Sequence, residues 1–424
     1  MVPMMTFFRS LGPGLLYAGA AIGVSHLVQS TRAGAEYGFQ LIWVILVANV
    51  IKYPFFEIGP RYTVATGKSL LEGYRELGRS AVILYLLITA GSMFIVQAAV
   101  TVVTAGLAAH IFKIEIPLWV ISSGLLVICG GVLALGRYKL LDKSMRLIIL
   151  TLTVSTIIAV VSAFSSPASS TVGPLKQFDW SDAASIAFLI ALVGWMPAPI
   201  DISIWHSLWT IARKRQDGHL PSMRDAIRDF HVGYWGTTFL AVCFVSLGAL
   251  VLYGSGEALS PRAATFAGQL IELYTKNLGP AFFVIIAIAA LTTMFSTTLT
   301  VLDAYARSLR HALMVLRHGT DPELSTDQDD SRSKHYWFLL AALIAGSLVI
   351  LVFFLESMRA LVDFATSIAF LTAAILAYLN VRVMSKANIP EEHRQGPIAR
   401  GLGIVGLVFL LLFSFYYVYV RLST

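Results

Sequence analysis

Runs of mostly apolar residues recur along the whole chain, at about 11–30, 38–58, 81–109, 117–135, 146–165, 182–210, 231–253, 280–304, 335–355, 359–381 and 401–420. Each is about 18 residues or longer, enough to cross ~30 Å of hydrocarbon as an α-helix. The pattern predicts an all-α integral membrane protein with eleven transmembrane helices. The polar stretches between spans are short, and the longest, 307–334 and 382–400, read as connectors. The expected organisation is a single transmembrane domain over 1–424.

Two spans differ from the rest because residues that a continuous apolar helix avoids sit near their middles. The first is interrupted by Gly23-Val24-Ser25-His26 and the sixth by Gly194-Trp195-Met196-Pro197-Ala198-Pro199-Ile200-Asp201. Two prolines remove backbone donors and clash with the preceding turn, so the sixth helix is expected to unwind there. Unwound backbone at membrane depth is tolerated where it is buried or lines a cavity. Breaks five spans apart point to an inverted-repeat transporter with substrate held between half-helices. On that reading repeat one covers about 11–165, repeat two about 182–381, and 401–420 is an added helix.

Composition agrees: 57% of the 424 residues are hydrophobic and 13% charged, with a mean hydropathy of +0.75, against roughly a quarter charged in soluble domains. Placing the N-terminus in the cytoplasm puts twenty-three Lys and Arg in inner segments and seven in outer ones, as positive-inside topology requires. The net charge of +7 then belongs to a basic inner face against anionic lipid and implies no nucleic-acid partner. Met1 to Ser10 is too short and too weakly basic for a cleaved signal. Cys129 and Cys243 both lie in apolar runs, which excludes a secreted-type disulfide framework. No zincin motif, nucleotide loop or nucleophile with a neighbouring base appears, so an enzyme is not expected.

The candidate chemistry lies in polar residues at membrane depth, where a charge costs at least ~2.5 kcal/mol. His26 is suited to binding a transition metal, accepting a proton or hydrogen-bonding an organic substrate; a structural bond to a neighbouring carbonyl is the alternative. Asp201 opens the distal half of the sixth span, either as a helix cap or as a ligand. If His26, Asp201 and Met196 converge with carbonyls near Gly23 and Trp195, the donor set suits Mn²⁺, Fe²⁺, Co²⁺ or Zn²⁺. Lys52 either snorkels toward the inner surface or serves as a built-in positive charge where a coupling cation would sit. Glu57 with Arg61, Asp303 with Arg307, and Arg359 with Asp363 are i, i+4 pairs that read as structural or gating ion pairs. Thr292, Thr293, Ser296, Thr297 and Thr298 cluster in the eighth span, either as packing hydroxyls or as part of a coupling-ion site.

Several motifs resemble the Nramp family of divalent-metal transporters. These are Gly12-Pro13-Gly14, Arg32-Ala33-Gly34-Ala35-Glu36-Tyr37-Gly38, Leu41-Ile42-Trp43-Val44 with Ala48-Asn49, and Ala65-Thr66-Gly67-Lys68-Ser69-Leu70, in that order. Met196-Pro197 with His206-Ser207, and Gly233-Tyr234 with Leu247-Gly248-Ala249, extend the likeness. The resemblance implies a LeuT-like 5+5 inverted repeat with broken helices 1 and 6. It also implies a multi-pass cell-membrane protein that moves Mn²⁺ or Fe²⁺ with protons, with no permanently bound cofactor. In register, the family's Asp-Pro-Gly-Asn becomes Gly23-Val24-Ser25-His26, and the His after its Met-Pro becomes Ala198. The third span lacks an acid and the ninth an internal Arg, places where the family's proton route needs charges. The function implied is alternating-access transport of a divalent cation (Mn²⁺/Fe²⁺-like or Mg²⁺) by a monomer with a rebuilt site. The alternative is a small organic solute, with Na⁺ or H⁺ coupling or uncoupled. The substrate site would comprise Gly23, Val24, Ser25, His26, Trp195, Met196, Pro197, Ala198 and Asp201, and coupling or gating would involve Lys52, Glu57, Ser296, Thr297, Asp303 and Asp363.

Overall fold

A computed structural model describes residues 12–135, 138–165, 173, 175–320, 333–353, 357–385 and 389–423. Of the expected connectors 307–334 and 382–400, residues 321–332 and 386–388 fall outside them, and 307–318 are not a connector but the end of a long helix. Every regular element among the described residues is helical. In chain order these are α1 (Pro13–Ala21), a π-helical turn (Ser25–Ser30), α2 (Thr31–Tyr37), α3 (Ile42–Thr66), α4 (Leu70–Leu77), α5 (Arg79–Phe112), α6 (Leu118–Ala134) and α7 (Tyr138–Ser165). They continue with α8 (Ala183–Gly194), α9 (Asp201–Asp217), α10 (Met223–Val251), α11 (Ala263–Leu278), α12 (Phe283–His318), α13 (Lys334–Phe353), α14 (Met358–Met384) and α15 (Pro397–Ser423). Seven helices among the described residues are long and apolar enough to cross a membrane. The outer faces expose Leu87, Val127, Phe338 and Phe415, as lipid contact requires.

Both predicted breaks are present. Helix α8 stops at Gly194 and α9 starts at Asp201. Pro197 has no N–H to give to the Val193 carbonyl four residues back, so the helical ladder cannot continue. The first break is smaller: α1 ends at Ala21 and the chain resumes as the π-helical turn at Ser25. The Ala21 carbonyl accepts from the Gly23 amide at 2.9 Å, and the Ser25 hydroxyl oxygen lies 2.7 Å from it. The start of α1 is capped from a distance, since the Asp229 carboxylate accepts from the Gly12 amide at 3.1 Å and the Gly14 amide at 2.8 Å. A carboxylate is favoured at the positive end of a helix.

Helix α10 carries much of the assembly, packing along α1, α2 and α3. Small residues permit the approach. A Cβ on Gly34 would run into the Val245 backbone, one on Gly248 into the Thr31 carbonyl, and one on Gly233 into the Gly14 carbonyl. Backbones this close gain packing that larger side chains would forbid. Gly34→Val is therefore expected to separate α2 from α10 and to cost roughly 2–3 kcal/mol through overpacking, read as a lowered Tm of the detergent-purified protein.

Three helices lie outside the predicted spans: α2, which carries the first span on past its break, and two further short ones. Helix α4 begins with a reciprocal capping box between Ser69 and Glu72, and α11 has 16 residues. Both are shorter than the apolar length that marks a crossing.

Candidate functional site

The two breaks meet. The Ser25 hydroxyl lies 3.4 Å from the Pro197 carbonyl, and Gly23, Val24, Ser25, His26, Trp195, Met196, Pro197 and Ala198 are all buried. The breaks therefore face each other in an occluded arrangement.

His26 is fully buried, and both ring nitrogens are engaged. Nδ1 pairs with the Ser25 hydroxyl at 2.7 Å, and Nε2 meets the Thr237 carbonyl of α10 at 2.9 Å. The carbonyl can only accept, so Nε2 carries the proton and Nδ1 accepts from Ser25 in the neutral ring. In this state the imidazole ties the π-helical turn to α10 and has no lone pair left for a metal.

Asp201 is 5% exposed. No side-chain hydrogen bond caps α9, and its Oδ1 has no hydrogen-bond partner among the described residues. The cap reading is therefore not met in hydrogen-bond terms. The carboxylate acts electrostatically on Tyr74, Tyr85 and Tyr305, from α4, α5 and α12. His26 is bonded toward α10, so the structure does not join the two in one bonded cluster. Among the described residues no group of three or more His, Cys, Asp or Glu side chains gathers as a metal centre.

Lys52 does not snorkel. At 1% exposure its ammonium donates to the Val193 carbonyl at 2.5 Å and the Gly194 carbonyl at 3.0 Å. Met196 is fully buried, with its amide on the same Val193 carbonyl at 3.1 Å.

Of the expected ion pairs, two form as i, i+4 contacts. Arg61 reaches Glu57 at 2.6 Å, with Gln395 donating to the second Glu57 oxygen at 2.8 Å. Arg307 reaches Asp303 at 3.0 Å, and the Tyr336 hydroxyl donates to the same carboxylate at 2.6 Å. The third is different. Asp363 accepts from Arg32 at 2.6 Å and from Gln29 at 2.9 Å, whereas Arg359 turns to Glu36 at 3.4 Å. The pairing therefore runs between helices, locking α2 and the π-helical turn to α14. Arg32 and Gln29 escaped the sequence reading, which placed Arg32 in a loop; their i, i+3 spacing on a continuing helix was the available signal.

The Thr297 hydroxyl sits among three carbonyls, those of Gly19 at 3.0 Å, Ile22 at 3.2 Å and Thr293 at 3.1 Å, while the buried Ser296 hydroxyl has no partner among the described residues. A Cβ on Gly23 would lie 2.8 Å from Thr297 Cγ2 and 3.0 Å from its Oγ1. The space that an aspartate at this position needs is filled by Thr297. A separate cavity of about 260 Å³ lies beside the start of α1, lined by Pro13, Pro60, His206, Thr210, Arg213 and Asp229.

The model of the natural resistance-associated macrophage protein-like family matches residues 14–420. The chain belongs to the Nramp family. The uncharacterized protein PM0681 of Pasteurella multocida is 34% identical over 97% of this chain and 92% of its own length. Metal transporter NRAT1 of Oryza sativa is 27% identical over 69% of this chain, which spans about half of that longer protein, 55%. Among solved structures, the manganese transporter of Eremococcus coleocola superposes with a TM-score of 0.66 at 13% identity, covering 97% of this chain and 86% of the other. The fold is LeuT-like, and the chain is an integral membrane transporter, not an enzyme. On the register that the motif resemblance implies, Gly23→Asp would place an aspartate at the first break. It is expected to yield poorly folded protein unless Thr297→Ala is added, because two heavy atoms cannot share the Thr297 position; expression and gel-filtration homogeneity of the single and double variants check this.

Proposed function

We propose that this Nramp-family protein moves a divalent metal cation across the cell membrane by alternating access, with Asp201 as the anionic ligand of a rebuilt site. The observation that carries the reading is the buried Asp201 oxygen without a partner. An isolated carboxylate in a low-dielectric interior is strongly disfavoured, and a cation is the partner that makes its retention favourable. One carboxylate supplemented by carbonyls and water suits Mn²⁺ or Mg²⁺. His26 and Met196 would join only on release of the ring from Thr237 and Ser25.

The topology that goes with this reading has eleven spans and a cytoplasmic N-terminus, repeats at about 11–165 and 182–381, and 401–420 added. On that orientation the Arg32–Asp363 pair closes the outer side, and the cavity beside α1 lies on the inner side. Proton coupling of the family type is not expected, since α5 contains no acid and α13 no arginine. Ser296 and Thr297 are the hydroxyls placed for any sodium dependence.

The second reading, a small organic solute, is favoured by one observation: an ammonium already occupies the carbonyls at the sixth break. Purified protein in liposomes loaded with a metal-sensitive dye separates the two readings. Influx of Mn²⁺, Co²⁺ or Mg²⁺, unchanged by a pH gradient, is expected. Absence of flux for all three from well-folded protein would remove the metal reading.

A further inference from the structure

The last carbonyls of a helix lack partners and carry partial negative charge. Within a membrane no water is available to satisfy them, and each costs several kcal/mol if left bare. At the end of α8 the deficit is fixed by sequence, because the residue four beyond Val193 is Pro197, which has no N–H. The Val193 carbonyl keeps the Met196 amide at 3.1 Å, and Lys52 adds a charged donor to it and to the Gly194 carbonyl from the middle of α3. No acidic side chain pairs with it among the described residues, so its countercharge is the helix end itself. Gly194 is meanwhile pressed against the Thr366 backbone of α14, which keeps the carbonyls where the ammonium meets them.

A pair of carbonyls at a helix C-terminus, with no carboxylate beside it among the described residues, is an environment that can hold a monovalent cation. We propose that Lys52 is a tethered substitute for such a cation: its ammonium fills the carbonyl site at the end of α8, so the carrier needs no free alkali ion there. The place of this site in a transport cycle rests on the carrier reading above, whereas occupancy of the site can be tested without transport.

The experiment compares wild type, Lys52→Arg, Lys52→Met and Lys52→Gln, purified in detergent, by thermal unfolding in choline chloride and in equal concentrations of lithium, sodium or potassium chloride. Wild type and Lys52→Arg are expected to unfold at the same temperature in every salt. The two neutral variants are expected to unfold earlier in choline and to recover along a saturable curve with one alkali cation, as mass action demands of a ligand that binds only the folded state. Three results would overturn the proposal: neutral variants as stable as wild type in choline; an alkali response in wild type as large as in the variants; or failure of both neutral variants to fold in any salt while Lys52→Arg folds. Should wild type carry no metal while the neutral variants bind sodium, the metal reading falls and the tethered cation stands.

Discussion

Asp201→Asn is expected to lower metal uptake on the order of 100-fold while leaving the protein as stable as wild type or more so. The two effects have opposite signs for one reason. The carboxylate is buried, meets its own backbone N–H, and leaves Oδ1 without a partner among the described residues. Replacing it with an amide of equal size removes an uncompensated charge and is expected to gain about 1–3 kcal/mol. The same change deletes the anion that a cation needs; a charge-assisted contact of about 2.7 kcal/mol corresponds to that 100-fold loss. Dye-based uptake and thermal unfolding on the same preparation check the pair of outcomes. A variant that loses stability but keeps its flux would make Asp201 a structural residue of α9.

Breaking the Arg32–Asp363 contact is expected to have the second largest effect. Arg32 is 4% exposed and Asp363 32%, and together with Gln29 they join the π-helical turn and α2 to α14. Removing the Asp363 charge leaves the buried Arg32 with the Glu36 carboxylate, 3.6 Å away, as its remaining ion partner among the described residues. Because Asp363 is partly hydrated, a figure near the lower end, roughly 3 kcal/mol, applies to Asp363→Asn. Spent on the balance between closed and open forms, that energy shifts the population about 100-fold toward opening at this end. A cysteine at Thr366, buried beneath the clamp, then becomes reactive to an impermeant thiol reagent. Cys129 and Cys243 are buried, so the background is low. Unchanged labelling in Asp363→Asn would mean that the pair does not gate.

Helix formation and its interruption are local properties, and these were legible. The apolar runs, the stop at Gly194 and the restart at Asp201 follow from a few neighbouring residues, because proline withholds an N–H regardless of what surrounds it. The glycine of the first break, Gly23, and the acid-free third span were equally plain in the residues. The short helices α4 and α11 were not, because a search for membrane-length apolar runs passes over them.

Contacts between distant parts were decided by the fold alone. Lys52 looked like a snorkelling side chain, yet it donates to a helix-end carbonyl 141 residues away. Asp363 has a favourably spaced Arg359 on its own helix but pairs with Arg32, 331 residues distant, since a buried guanidinium needs a carboxylate more than an exposed one does. Thr297 fills the space beside Gly23 from another helix, which no spacing rule anticipates. By itself, then, the sequence determined that this is a membrane transporter with two broken helices and no aspartate in the first. Tertiary structure decided how the polar groups near the breaks are used: an imidazole as a tether, an ammonium on the last carbonyls of α8, and a carboxylate with one oxygen unpartnered among the described residues. Backbone demands arise within a few residues, but the side chains that meet them arrive only when distant helices pack.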